Sequence, residues 1–250
     1  MVKIERVLAP NPGPFTGDGT NTWVLEGQSG VWVIDPGPVI DPHRQAIIDT
    51  VAERRPLGVL VTHTHSDHAP LANPLAREWQ VPAIGYSPGP DFDPDRLVGE
   101  GDQLSLGDEL LTVLHTPGHA DDHLCFLVGK VLFTGDHIIG GSSVMIEDLT
   151  AYLDSLEKLR DLDLERLLPG HGPEMDRPWE VIDWYLAHRR QREEEILAAI
   201  AAGAGSVEEV VEVVYAGVDR SLHPLAARSV MAHLAKLDVE GRLPASFSRL

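Results

Sequence analysis

The segment VTHTHSDHAP, Val61 to Pro70, packs three histidines and an aspartate into the six positions from His63 to His68. Imidazole and carboxylate groups are ligands for divalent cations, and neither builds a hydrophobic core. The apolar run LGVLV lies immediately upstream and the helix-like LANPLAREW follows. The cluster is therefore expected where a buried strand ends and a helix begins, which is where α/β proteins collect their chemistry. Three more ligand-type residues close apolar runs: His119 ends TPGH, Asp136 ends FTGD and His171 ends LPGH. If those runs are strands of one sheet system, all seven side chains can converge along one edge. On extended backbone His63 and His65 point the same way, because the side-chain period is two. With His119 they form a three-histidine cap for one metal. Asp67, His68 and His171 can hold a second, with the Asp136 carboxylate bridging the pair. An isolated HxH would carry little weight. Seven residues in four segments, each at a strand end with Gly or Pro nearby, specify a metal site.

Two zinc ions per chain suit this donor set best, and manganese or iron accept the same groups. Water on zinc falls from a pKa of ~15.7 to roughly 7, giving hydroxide at neutral pH. Held between two metals, that hydroxide attacks a carbonyl carbon or a phosphorus while the second metal stabilises the developing oxyanion. Asp67 is placed to orient the nucleophile and share in its proton transfer. The reaction class is hydrolysis. Asn21, in GTNTW, sits in a loop that borders the expected pocket. Its amide is a candidate ligand for a substrate oxygen, with turn stabilisation as the alternative. His43, His115, His123, His137, His188, His223 and His233 receive no role.

The elements that must position these groups are legible as short apolar runs stopped by Gly, Pro or His. NTWVLE, GVWVIDPG, LGVLVTH, LLTVLHTPGH, HLCFLVG, KVLFTGDH and RLLPGHG read as strands. DPHRQAIIDTVAERR, LANPLAREW and DLTAYLDSLEKLRDL read as helices between them. Strands alternating with helices predict α/β layers. After Gly172 the texture changes. RPWEVIDWYLAHRRQREEEILAAIAAG predicts a long helix that starts near Pro178 and stops at Gly203. SVEE, from Ser206, reads as a capping box opening a second helix, and HPLAARSVMAHLAKLDVEG as a third with Pro224 in its first turn. RLPASFSRL offers a small wing-like strand. The expected organisation is a catalytic domain over 1–172 and a helical module over 173–250.

Composition limits the partners. The chain has 250 residues, 43% of them hydrophobic, with 20 basic against 39 acidic side chains and a net charge of −19. That field repels polyanions unless metal ions or a local basic patch offset it. No segment approaches the ~18 continuous apolar residues of a membrane span, and MVKIERVLAP lacks the core of a signal peptide, so a cytoplasmic protein without membrane contact is expected. The single Cys125 lies in a strand-like run and reads as packing.

HxHxDH followed by separate His, Asp and His resembles the metallo-β-lactamase superfamily, whose fold is an αββα sandwich around a dinuclear metal site. NPGPFTGDGTNTWVLEG, TPGHADDH, GDHIIGG, EDLTAYLDSLEKL and LPGHGPEM, with a C-terminal helical module, are similar to the beta-lactamase-like protein 2 branch. The likeness runs over nearly the whole chain and implies an αββα sandwich followed by a small winged-helix-like domain. It also implies that Asp35, in VIDPG, supports the metal loop from behind the ligands. Asp136 stands where class B β-lactamases usually have Cys or Ser, which argues against lactam hydrolysis. Animal members of the branch cleave single-stranded RNA, and fungal relatives hydrolyse acyl-carrier-protein thioesters.

The expected function is accordingly a metal-dependent phosphodiesterase, an endoribonuclease on single-stranded RNA. The alternative is a thioester or small-ester hydrolase, of the glyoxalase II or acyl-carrier kind. A nucleic-acid-binding regulator is the poorest reading, because residues 173–250 carry 9 basic and 13 acidic side chains. The module is expected instead to cover the pocket, to pack on the catalytic domain or to make a homodimer contact.

Overall fold

In the computed structural model, residues 2–141, 143–244 and 247 are described. The chain divides into two compact units, one of residues 1–117, 122–144 and 162–178, the other of residues 118–121, 145–161 and 179–250.

The first unit is a pair of sheets. Six strands form one sheet in sequence order: β1 (Lys3–Leu8), β2 (Asn21–Gly27), β3 (Gly30–Ile34), β4 (Pro56–Leu60), β5 (Ala83–Gly85) and β6 (Arg96–Leu97). Five form the second, in the order β11-β10-β9-β8-β7, from β7 (Gln103–Ser105), β8 (Leu110–His115), β9 (Leu124–Val128), β10 (Val131–Gly135) and β11 (Arg166–Pro169). The seven strands expected from apolar runs are present. β1, β5, β6 and β7 are additional: they are short or alternate with charged residues, so their apolar signal is weak.

Alternation along the strands builds two layers of core. Trp23, Leu25, Trp32, Ile34 and Leu60 face the other sheet and pack with Val113, Phe126, Phe133 and Leu168. Their neighbours Val24, Val31, Val33, Val59 and Val61 face outward, onto α1 (Asp41–Val51) and α2 (Ala72–Trp79) through Ile47, Leu71 and Leu75. Each fully buried aliphatic side chain contributes about 1.5–3 kcal/mol, and a strand slipped by one residue would exchange the two faces.

Parallel connections place the chemistry. β3 runs parallel to β4 through α1, and β4 parallel to β5 through α2. The carboxyl ends of β3 and β4 are thus adjacent, and Asp35 and the His63 loop leave from that edge. β10 and β11 are also parallel, so Asp136 and His171 leave side by side. Trp23 Nε1 donates to the Pro169 carbonyl at 3.1 Å and Asn21 N to the Gly170 carbonyl at 2.7 Å, tying the start of β2 to the end of β11.

The second unit contains α3 (Leu149–Arg160), α4 (Pro178–Ala201), α5 (Val207–Val214) and α6 (His223–Val239). Asp148 caps α3 by accepting from Ala151 N, and Ser206 caps α5 by accepting from Glu209 N. The Glu209 carboxylate returns to the Gly205 amide, one residue before the reciprocal partner of a capping box. Gly203, at φ +111°, ends the turn after α4. Ile196, Val207, Val210, Val211, Val230 and Leu234 form this unit's helical core. The wing-like strand expected in RLPASFSRL falls largely on residues outside those described.

Candidate metal centre

The HxHxDH segment begins three residues past the end of β4, in a loop rather than in strand. Its first two histidines nevertheless converge: His63 Nε2 and His65 Nδ1 are 2.9 Å apart. His63 is buried and His65 exposed. A turn in which His68 N and Ala69 N both bond the His65 carbonyl then swings Asp67 and His68 inward.

Asp35 anchors that loop. It is 1% exposed and has φ +50°, a left-handed conformation uncommon for a residue with a side chain. Its Oδ1 accepts from Thr62 N at 2.7 Å, and its Oδ2 accepts from Thr62 Oγ1 at 2.7 Å and from His68 Nδ1 at 2.9 Å. A carboxylate at Nδ1 fixes the His68 tautomer and turns Nε2 to the site. Behind it, Thr22 Oγ1 donates to the Asp35 carbonyl and meets His43 Nε2 at 2.9 Å. His43 is buried in this support.

His171 is set in the same way. Its Nδ1 donates to the Gly19 carbonyl at 3.2 Å, so its Nε2 also faces the site. There it meets Asp67 Oδ2 at 3.1 Å, Asp136 Oδ2 at 3.3 Å and His68 Nε2 at 3.2 Å. Two sets of ligand atoms in the first unit, His63/His68/Asp136 and Asp67/His68/His171, each lie within 4.8 Å of one another. His119 lies in the 118–121 turn, buried, with Nδ1 on the Met145 carbonyl at 2.8 Å.

The arrangement fits a cation. With both Nδ1 protons engaged, neutral His68 and His171 turn lone pairs toward each other and toward two carboxylates. Such a set is stable only with positive charge inside it, from a metal or from protons. The titration shifts express that demand. For His171 burial alone would lower the pKa, but hydrogen bonds donated to Asp136 and Asp67 push it up to about 9. In His68 burial likewise opposes charge and is outweighed by Asp136 and Asp35, which raise it well above the usual histidine value. Burial would raise the Asp136 carboxyl, yet His68 and His171 hold it well below the carboxylate range. Asp67 follows the same balance, burial against a hydrogen bond to His171, and is lowered.

Asn21 lies 1% exposed with both amide hydrogens used: Nδ2 donates to the Pro169 carbonyl at 3.0 Å and to the Gly172 carbonyl at 2.9 Å. Its side chain braces the loop carrying His171, a turn-stabilising contact. Gly170 in that loop has no room for a side chain, since a Cβ there would stand 2.5 Å from Asp136 Oδ1 and 2.6 Å from His68 Cε1. Sequence reasoning passed over Thr62, Asp122 and His123, all of which contact the ligand-bearing loops. The signal available for them was adjacency, Thr62 to His63 and the Asp-His pair to His119. Of the remaining histidines, His137 is buried, His115 stacks on Tyr86 with ring centroids 4.2 Å apart, and His188 stacks on Trp184.

Two facing sheets with clustered His and Asp side chains at one edge suit a metallo-hydrolase fold, and comparison with known families agrees. The metallo-beta-lactamase superfamily matches residues 15–171, and a beta-lactamase associated winged helix domain matches residues 206–244. The chain belongs to the metallo-β-lactamase superfamily of hydrolases, whose members typically bind divalent metals. It is similar to a beta-lactamase-like protein 2 homolog of Drosophila melanogaster, 33% identical over 265 residues that cover 98% of this chain and 91% of the relative. An atrochrysone carboxyl ACP thioesterase of Aspergillus chevalieri is 31% identical, over 92% of this chain and 78% of that one. A β-lactamase domain protein from Burkholderia ambifaria superposes with a TM-score of 0.83 at 25% identity, covering 97% of this chain and 87% of its own. No helix among the described residues is long and apolar enough to cross a membrane.

Proposed function

We propose that the protein is a dinuclear metal-dependent phosphodiesterase, an endoribonuclease acting on single-stranded RNA. From the ligand motifs, His63, His65 and His119 would hold one metal and Asp67, His68 and His171 the other, with Asp136 shared. The observation that carries the metal reading is the mutual approach of His68 and His171 through Nε2. Zinc is the first candidate, ahead of manganese and iron. Two such cations would supply an activated water at neutral pH and offset charge that develops on the substrate.

The chain's own groups supply the rest. Asp67, its side chain 26% exposed against 13% for Asp136, is the carboxylate assigned in this reading to orient a nucleophile and take its proton; its greater exposure supports that choice. Asp35 and the Gly19 carbonyl hold the two imidazoles in fixed tautomers. The RNA reading is supported by the nearly full-length match to the beta-lactamase-like protein 2 branch, winged helix domain included. Thioester hydrolysis is the second reading, favoured by the similarity to the fungal thioesterase and by the net charge of −19, which does not attract a polyanion.

The deciding experiment loads the protein with zinc or manganese and assays single-stranded RNA, bis-p-nitrophenyl phosphate and an acyl thioester side by side. Selective turnover of RNA and the phosphodiester is expected. Selective turnover of the thioester would replace the first reading with the second.

A further inference from the structure

The Asp122–His123 pair follows His119 directly in TPGHADDH, and its contacts run to both sides of the centre. Asp122 Oδ2 accepts from Thr64 N at 3.0 Å. Leu124 N donates to the Thr62 carbonyl at 2.7 Å. Thr62 and Thr64 flank His63, so the start of β9 grips the backbone on either side of that ligand. His123 lies between the two tethers, fully buried, its ring centroid 5.1 Å from that of His63. Its Nε2 accepts from the backbone N–H of Asp136 at 3.1 Å. An accepting Nε2 places the ring proton on Nδ1, which donates to Thr116 Oγ1 at 2.9 Å. Gly135 admits this approach: at φ +47°, a Cβ there would stand 2.7 Å from both His123 Nε2 and Thr62 Oγ1.

We propose that Asp122 and His123 are paired positioning residues for the two metals, Asp122 holding the His63/His65 loop and His123 holding the backbone of the bridging Asp136. The inference rests on the metal reading given above. Neither side chain is placed as a ligand; each fixes a backbone amide from which a ligand projects. The division of labour has a distinct consequence. Loss of the Asp122 contact loosens one ligand set, whereas loss of the His123 contact loosens the carboxylate shared by both.

Four single variants separate this from general support of the fold. Asp122→Asn keeps an oxygen acceptor for Thr64 N, and Asp122→Ala removes it. His123→Gln keeps an acceptor at the distance of Nε2, whereas His123→Asn reaches Thr116 but falls short of the Asp136 amide. Zinc and manganese affinities are measured by chelator competition, together with the unfolding temperature of each metal-free protein. We expect Asp122→Ala to weaken one of two ions by about 10–100-fold and leave the other unchanged. We expect His123→Asn to weaken both, with Asp122→Asn and His123→Gln retaining most of the affinity. Equal affinity in all four folded variants, or affinity that tracks only the metal-free unfolding temperature, would overturn the positioning roles while leaving the metal centre intact. A wild-type protein that binds no metal would overturn both readings.

Discussion

His68 and His171 face each other through Nε2 at 3.2 Å, each with its Nδ1 committed to an oxygen, of Asp35 and of the Gly19 backbone. Two imidazoles so oriented repel unless a cation lies between them. Metal removal should therefore cost stability as well as activity. Saturating reconstitution should give close to two ions per chain by elemental analysis, and chelation should lower the unfolding temperature. Full activity with a single ion would defeat the dinuclear assignment.

Asp136 and Asp35 are both largely buried carboxylates, but of the two only Asp136 stands among the grouped His and Asp atoms that could hold a metal. Asp35→Ala should lower metal affinity by about 10–100-fold through the freed His68 ring and Thr62 loop. Asp136→Ala should cost more, because both ligand sets lose a member. Comparable losses in folded proteins would mean the roles are misassigned.

Gly170 is clamped at both ends, its N–H on the Gly135 carbonyl at 2.8 Å and its carbonyl on Asn21 N at 2.7 Å, so it cannot retreat from an added methyl group. Gly170→Ala should drive Asp136 and His68 out of place. Overpacking of this kind costs about 1–3 kcal/mol. A lowered unfolding temperature together with weaker metal binding is the expected result, and an unchanged centre would contradict the steric argument.

Asn21→Ala removes the side-chain donor to the Gly172 carbonyl and one of the two side-chain donors to the Pro169 carbonyl, which keeps Trp23 Nε1. An unsatisfied buried group costs about 1–3 kcal/mol. The variant should show reduced stability and weaker metal binding with KM little altered in the metal-saturated enzyme. A rise in KM alone would restore a direct substrate contact for this amide.

His233 is 1% exposed, and neither ring nitrogen has a hydrogen-bond partner. Burial, with Arg189, Arg192, Lys236 and His188 around it, pushes its pKa down to about 3. Lys236 is paired with Glu193 and Glu240, and Arg192 with Glu195. The unfolded chain protonates this histidine near the ordinary value of 6.5, the folded chain only near 3. Its contribution is therefore complete above pH 6.5 and lost progressively as the pH falls toward 3, at up to about 1.4 kcal/mol per pH unit. His233→Leu should flatten the fall in unfolding temperature between pH 6 and 4. An unaltered slope would show that His233 does not contribute to it.

The sequence by itself determined the inventory of ligand-type residues and much of the frame. HxHxDH, TPGH, FTGD and LPGH are local patterns, each formed where an apolar run stops, and strand and helix periods are local as well. The core strands, all six helices and the cap at Ser206 were legible for that reason. Short strands such as Ala83–Gly85 were not, because three residues carry no period and become strand only when a neighbour supplies hydrogen bonds. The tertiary structure decided what each ligand leans on. That Asp35 meets His68 across 33 positions, that Asn21 serves Pro169 across 148, and that His123 holds the Asp136 amide depend on parallel pairing of β3 with β4 and of β10 with β11. Spacing in a sequence can name the atoms that bind a cation. Only sheet register, set by which face of each strand is buried, chooses the groups that orient them.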